Sequence, residues 1–209
     1  MTAPTLGRQQ THGIPLLHAP GSRSERVRWT AAELDIPLDL LSPAAPGGER
    51  EIAHPLNKVP AIMVQGEPLF ESLAICNWLA DSHPHRDLGW RAGSWNRALH
   101  DQWTAFALTE LEANLWHTAR NKFVYPPDRR VPQVYAQNEE EALRALEVFD
   151  RHMENRAWLI AERFSLTDIF CGFTISWASM DSLTASFPNL ENYLTRLLAM
   201  PNCPYTKGR

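Results

Sequence analysis

From Ser94 onward almost no strand signal survives in this chain, and the pattern is that of helices. Ahead of that point, "GIPLLHA" is a short apolar run that predicts a strand. "SRSERVRWTAAELDI" sets Val27, Trp29, Ala31, Ala32 and Leu34 among charges, which predicts a helix of about three turns. "PLDLLS" predicts a second strand, and "AIMVQGEPLF" a hairpin turning at Gln65-Gly66. "SLAICNWLADSH" brings Leu73, Ile75, Trp78 and Leu79 on or near one helical face and ends before Pro84, where a helix is expected to stop. Beyond Ser94 come four helical patterns: "SWNRALHDQWTAFALTELEANLWHTARNK", "PQVYAQNEEEALRALEVFDRHMEN", "SLTDIFCGFTISWASM" and "NLENYLTRLLAMP". The fold class expected is α/β followed by all-α. Its parts are a polar leader over 1–12, an α/β domain over 13–83, a Pro- and Gly-bearing linker over 84–93 and a helical domain over 94–209.

A chain of 209 residues, 44% hydrophobic, can build one large domain or two modest ones. A formal net charge of −4 argues against a partner bound by broad phosphate neutralisation, so no nucleic acid is expected. Cys76, Cys171 and Cys203 lie far apart without a C-x-x-C pair. That arrangement predicts no metal site and suits a reducing cytoplasm better than a disulfide framework. No apolar run reaches the length of a membrane span, and the N-terminal "MTAPTLGRQQTHG" lacks a signal peptide's apolar core.

Several short stretches invite chemistry. Ser165 followed by Asp168 forms a capping box ahead of "IFCGFTISWA", which is apolar nearly all round and predicts a buried central helix. Pro60 in "NKVPAI" precedes an apolar strand; it either starts an edge strand in trans or bends the chain in cis. Glu71-Ser72 opens a helix, where free N–H groups favour an anion, though serine is also an ordinary cap there. Ser22 stands at the start of the first helix, beside Arg23, and can be a cap and no more.

In order and spacing, "HAPGSRSERVRW", "HPLNKVPAI", "FESLAICNWLAD" and "FSLTDI" resemble four segments of the soluble glutathione transferase family, over nearly the whole chain. The resemblance, to a bacterial-like serine-type member, implies a thioredoxin-like N-terminal domain and a helical-bundle C-terminal domain. It implies that Val59–Pro60 is cis, presenting the Val59 main chain to the cysteine of glutathione, with Lys58 and Ser72 holding the tripeptide and Glu71 receiving its ammonium. His54 and Asn57 depart from the family pattern; Asn57 can still take a left-handed turn, and His54 either meets the glycyl carboxylate or is an exposed loop residue. The family's catalytic hydroxyl falls on Ser22, with Ser24 its rival. Its task is to hold as thiolate a thiol whose pKa is about 8.5 or slightly higher. No tyrosine or cysteine occupies that segment, which disfavours tyrosine-type members and thiol-disulfide enzymes; Cys76 reads as a packing residue.

On the acceptor side, the resemblance draws attention to Trp103, Phe106 and Tyr125, although aromatics at helical spacing are more often core than pocket, and to His117 and Arg120, which suit an anion or a solvated face. It further implies a homodimer, glutathione as co-substrate, and conjugation of a small hydrophobic electrophile in detoxification. The alternatives are glutathione-dependent isomerisation, dehalogenation or ether cleavage, or a non-catalytic interaction protein on the same fold.

Overall fold

The computed structural model describes residues 13–43 and 54–205. The leader over 1–12 and most of the Pro/Ala/Gly-rich stretch "LSPAAPGGER" lie outside the described residues. The described residues up to Ser94, joined by Pro201–Tyr205, form one compact unit, and Trp95–Met200 forms a second.

In the first unit, β1 (Ile14–Leu17), β2 (Leu38–Leu41), β3 (Ala61–Val64) and β4 (Glu67–Phe70) make a sheet of order β2-β1-β3-β4. β1 runs parallel to β2, antiparallel to β3, and β3 antiparallel to β4. The central strands carry the apolar burden: Ile14, Leu16, Leu17, Ala61 and Ile62 are buried. The expected hairpin turns at Gln65 and Gly66, both with positive φ (53° and 84°), the geometry that suits a right-twisting pair of strands. Gly13 lies so close to β2 that a Cβ there would stand 2.7 Å from the Leu38 carbonyl carbon.

Helix α1 (Ser24–Glu33) buries Val27, Trp29 and Ala31, and helix α2 (Ser72–Ser82) buries Ile75, Cys76, Leu79 and Ala80. The two pack on each other, and α2 also packs on β3 and β4. α1 ends in a paired main-chain cap. The Asp35 N–H donates to the Ala32 carbonyl and the Ile36 N–H to the Ala31 carbonyl, with Asp35 left-handed at φ 54° where glycine is more usual. Pro201–Tyr205 packs back on α1: Tyr205 meets Trp29 edge-on at 4.9 Å, and the Asn202 amide donates to Glu33 at 3.2 Å.

The second unit begins with the expected long helix, which runs through 95–124 as α3 (Trp95–Phe106), a loosely wound stretch Ala107–Glu112, α4 (Ala113–Ala119) and a second loose stretch Arg120–Val124. The loose turns are wound i→i+5. Asn114, at the start of α4, donates back to the Glu110 carbonyl of the first at 2.7 Å. The buried Glu112 carboxylate accepts the Thr174 hydroxyl at 2.7 Å. Helices α5 (Val134–Met153), α6 (Leu166–Met180) and α7 (Pro188–Leu198) follow. α6 is central, with nearly every side chain from Leu166 to Ser179 buried, as its all-round apolarity requires.

The box at the head of α6 forms as expected. Asp168 accepts from the Ser165 N–H (2.9 Å) and hydroxyl (3.1 Å), and also from the Leu159 N–H (3.0 Å) and the Tyr193 hydroxyl (3.2 Å). The carboxylate thus ties the preceding loop and α7 to the start of α6.

Asp168→Asn cannot accept at both oxygens and is expected to lose about 2–3 kcal/mol in a denaturant melt at neutral pH. Burial pushes the Asp168 carboxyl up to about 6 from its usual 3.8, against the pull of its four donors. The native state therefore holds a proton that the unfolded chain releases, so stability falls as pH rises between those two values. The advantage of wild type over Asp168→Asn should accordingly widen as pH is lowered through that window. Gly13→Ala, whose methyl meets backbone and not a movable side chain, is expected to cost about 1–3 kcal/mol in the same measurement.

Candidate functional site at one end of the sheet

Strand register gathers the candidate residues. Leu17 at the end of β1 stands opposite Ala61 at the start of β3, and Ala61 stands opposite Phe70 at the end of β4. The turn leaving β1, the residues entering β3 and the residues leaving β4 therefore share one end of the sheet. Those are His18–Ser22, His54–Pro60 and Glu71-Ser72.

In the first of these, Gly21 is left-handed (φ 71°) and α1 begins two residues after Ser22. The two serines weighed as alternatives are in contact, Oγ to Oγ at 2.7 Å. Ser22 is half-buried; its hydroxyl lies 2.7 Å from the Ala19 carbonyl and accepts the Ser24 N–H at 3.2 Å. Ser24 has no exposed surface. Its hydroxyl lies 2.8 Å from His18 Nδ1 and 3.1 Å from the Ala19 carbonyl, and accepts the Ala19 N–H at 3.3 Å. On the other side of the ring, His18 Nε2 is 4.0 Å from Glu25 Oε1. Glu25 also accepts the Gly21 N–H (3.3 Å) and pairs with Arg28 (2.7 Å). Burial lowers the pKa of His18; Glu25 opposes that and Arg28 adds to it, so the imidazole rests neutral near pH 7.

Val59–Pro60 is cis, as the resemblance implied, and Pro60 is buried. Among the described residues the N–H and C=O of Val59 have no hydrogen-bond partner. Asn57 takes the left-handed conformation (φ 51°), its N–H donating to the His54 carbonyl at 2.9 Å. His54 is buried, not an exposed loop residue: its ring packs on Phe70 at 5.1 Å, and its Nδ1 accepts the Leu56 N–H at 3.0 Å. With Nδ1 an acceptor, the ring proton sits on Nε2. Lys58 is exposed.

Glu71 is exposed and held at φ 69°, outside the regions a β-carbon favours, immediately before α2. Ser72, the first residue of α2, is buried, and its hydroxyl accepts the Arg26 guanidinium at 3.4 Å. Arg26 has no exposed surface. Cys76, one turn further along α2, is fully buried and its thiol is pushed up to about 11 by burial, which keeps it a packing residue. His18, Glu25 and Arg26 were not among the residues singled out from sequence. The available signal was a histidine at the end of a predicted strand and an arginine within the predicted first helix.

The acceptor-side candidates belong to the second unit. Trp103 is 8% exposed and packs on His152 (4.1 Å), Phe149 (5.1 Å) and Phe106 (5.9 Å), so it is a core residue. Phe106 is half-buried at the edge of that cluster, 5.4 Å from Phe149. Tyr125 is half-buried; Arg120 and Arg129 lie over its ring, and Arg120 also donates to its hydroxyl. His117 is exposed. Among the described residues no cluster of His, Cys, Asp and Glu is arranged to hold a metal ion, and no helix is long and apolar enough to cross a membrane.

Comparison with known proteins bears on the family and the fold. The family model "Glutathione S-transferase, N-terminal domain" matches residues 16–87, and "Glutathione S-transferase, C-terminal domain" matches residues 115–201. The chain is 29% identical over 157 residues to elongation factor 1-gamma 2 of Oryza sativa subsp. japonica, covering 71% of this chain and 36% of that protein. It thus spans about a third of the length of the elongation factors it matches. It is 28% identical over 172 residues to the glutathione S-transferase GstA of Escherichia coli O157:H7, covering 79% and 82% of the two chains. Among solved structures it resembles a sphingomonad glutathione S-transferase complexed with glutathione, with a TM-score of 0.78 at 21% identity over 90% of this chain and 94% of the other. With both family models matched in order, and a mixed four-stranded unit followed by a helical one, the chain belongs to the glutathione transferase family.

Proposed function

We propose that this protein binds glutathione at the end of its sheet and transfers the thiolate to a small hydrophobic electrophile. The observation that carries this reading is the convergence of three different offers at that one end. They are a Val59 main chain unpaired among the described residues, a helix start at Glu71-Ser72 backed by the buried Arg26, and the half-buried Ser22 hydroxyl. A tripeptide carrying a carboxylate, an ammonium and a thiol complements all three. Its cysteinyl main chain pairs with Val59 in β fashion. Its γ-glutamyl carboxylate sits on the N-terminus of α2 and the Ser72 N–H and hydroxyl, where the free amides and the nearby guanidinium favour an anion. Glu71 receives the ammonium. Lys58 and the Nε2–H of His54 are the donors suited to the glycyl carboxylate.

Ser22 is preferred over Ser24 as the hydroxyl that meets sulfur. Ser24 has no exposed surface and already engages His18, Ala19 and Ser22. A thiolate accepting a fixed hydroxyl and lying near the start of α1 is stabilised over the thiol, each pKa unit being worth about 1.36 kcal/mol. For the acceptor, Phe106 and Tyr125 are better candidates than Trp103, which the helical core encloses. Isomerisation, dehalogenation and ether cleavage all start from the same thiolate and remain variants of this reading. A homodimeric assembly and a cytoplasmic, detoxifying role belong to the same proposal.

The likeness to elongation factor 1-gamma supports a second reading, in which the fold serves as a protein-interaction module. The two part on thiol chemistry. On immobilised glutathione the transferase should be retained, and Ser72→Ala should weaken binding about tenfold, the worth of a charge-assisted hydrogen bond. Ultraviolet absorbance of the bound thiolate against pH should give a thiol pKa at least one unit below that of free glutathione, and Ser22→Ala should return it most of the way. Retention with an unshifted thiol pKa favours the module; a protein that is not retained excludes the transferase. A shift abolished by Ser24→Ala and untouched by Ser22→Ala would move the thiolate donor to Ser24.

A further inference from the structure

The serine pair leads somewhere. From Ser22 Oγ the contacts run to Ser24 Oγ at 2.7 Å, from Ser24 Oγ to His18 Nδ1 at 2.8 Å, and across the imidazole to Glu25 Oε1, 4.0 Å from Nε2. Ser24, in the middle of this line, is sealed from solvent. No step of simple thiolate stabilisation by Ser22 requires the line to continue beyond that residue. Yet a thiol that becomes a thiolate must hand its proton to something, and the line ends in a base.

Resting on the glutathione reading above, we propose that His18, a positioning residue that sets which way the Ser22 and Ser24 hydroxyls point, takes the thiol proton of bound glutathione through those two serines. The hydrogen count fits one resting arrangement. The carboxylate of Glu25 favours a proton on His18 Nε2, which leaves Nδ1 a lone pair. Ser24 then donates to Nδ1 and accepts from the Ala19 N–H and the Ser22 hydroxyl, which uses its one proton and both lone pairs. Ser22 accepts the Ser24 N–H, and its second lone pair is open to an S–H. The Ala19 carbonyl is the competing acceptor for either hydroxyl, at 2.7 Å from Ser22 and 3.1 Å from Ser24, and it also takes the Ser22 N–H at 3.2 Å.

When the thiol donates to Ser22, three protons move one place each. The S–H bond breaks and the Ser22 hydroxyl receives that proton. Ser22 passes its own to Ser24, and Ser24 passes its own to Nδ1, where the new N–H bond forms. No electron changes hands. Afterwards His18 is an imidazolium with Nε2–H facing Glu25 and Nδ1–H donating to Ser24, Ser24 donates to Ser22, and Ser22 donates to sulfur. Every donor in the line now points at the thiolate. The reverse orientation offers the sulfur none, so the protonation of His18 decides whether Ser22 can serve as thiolate donor at all. The ionisable groups acting on His18 are Glu25, which favours the imidazolium, and Arg28, which opposes it; burial keeps the ring neutral until a proton is delivered.

The test uses the full chain with nitrogen-15-labelled histidine, the His18 signals being identified by their loss in His18→Asn. Three states are compared at neutral pH: free, with glutathione, and with S-methylglutathione, which has no thiol proton to give. The relay predicts one protonated ring nitrogen in the free protein and with S-methylglutathione, and two with glutathione. A His18 that stays singly protonated with glutathione, or responds alike to both ligands, overturns it. As a second measurement, the pKa of the bound thiol should rise by a unit or more in His18→Leu and less in His18→Asn, whose amide can still donate to Ser24. An unchanged thiol pKa in both variants also overturns the relay. Failure of the relay alone leaves glutathione bound to wild type with a depressed thiol pKa. If wild type binds no glutathione, or binds it with an ordinary thiol pKa, the transferase reading and the relay fall together.

Discussion

The antiparallel pairing of β1 with β3 is the constraint on which the rest hangs. Leu16 opposite Ile62 and Leu17 opposite Ala61 fix which residues leave the sheet together. A slip of one residue would send Leu17 and Ala61 to the wrong face and separate the Ser22 turn from Pro60. Burial guards against that slip, because Leu16 and Ile62 are fully enclosed and Leu17 packs with Ala61, Leu41, Val59 and Met63 on the sheet's other face. Once the register holds, the polar site is positioned by apolar packing that touches none of its chemistry.

A second tie joins the two helices that cap this end. Arg26 projects from α1 to Ser72 at the head of α2, forty-six residues away in sequence, and both side chains are buried. An enclosed guanidinium is costly unless it finds partners. Here it brings positive charge to a helix start that already favours an anion, so the same residue serves the packing of the unit and the electrostatics of the proposed γ-glutamyl site. The helical unit shows a parallel economy in Asp168, where a single carboxylate gathers donors from Leu159, Ser165 and Tyr193.

Much of this was legible in the sequence, and what was not has a physical reason. Strands, helices and the hairpin at Gln65-Gly66 follow from local periodicity and turn chemistry, which need no knowledge of distant residues. The capping box was legible because both its members lie within four residues. The loose turns at Ala107–Glu112 and Arg120–Val124 leave no mark in a helical pattern that shifts by a fraction of a turn. The end of α1 was blurred because Asp35, and not glycine, takes the left-handed position. Ser22 and Ser24 stand as alternatives in the sequence, since one sequence cannot say that two hydroxyls two residues apart touch. His18 is not legible as a site residue, because its meaning lies in contacts with Ser24 and Glu25 that exist only once the turn is folded. Trp103 was left open between pocket and core, and its packing on Phe149 and His152 makes it core.

The proposed site holds a peptide thiol at the end of a sheet by main chain, helix start and hydroxyl together. A crystal structure of the protein grown with glutathione addresses that most directly. The cysteinyl main chain should pair with the N–H and C=O of Val59, the γ-glutamyl carboxylate should rest on Ser72, and the sulfur should lie within hydrogen-bond distance of Ser22 Oγ. A tripeptide bound elsewhere, or bound here with its sulfur turned away from both serines, would contradict it.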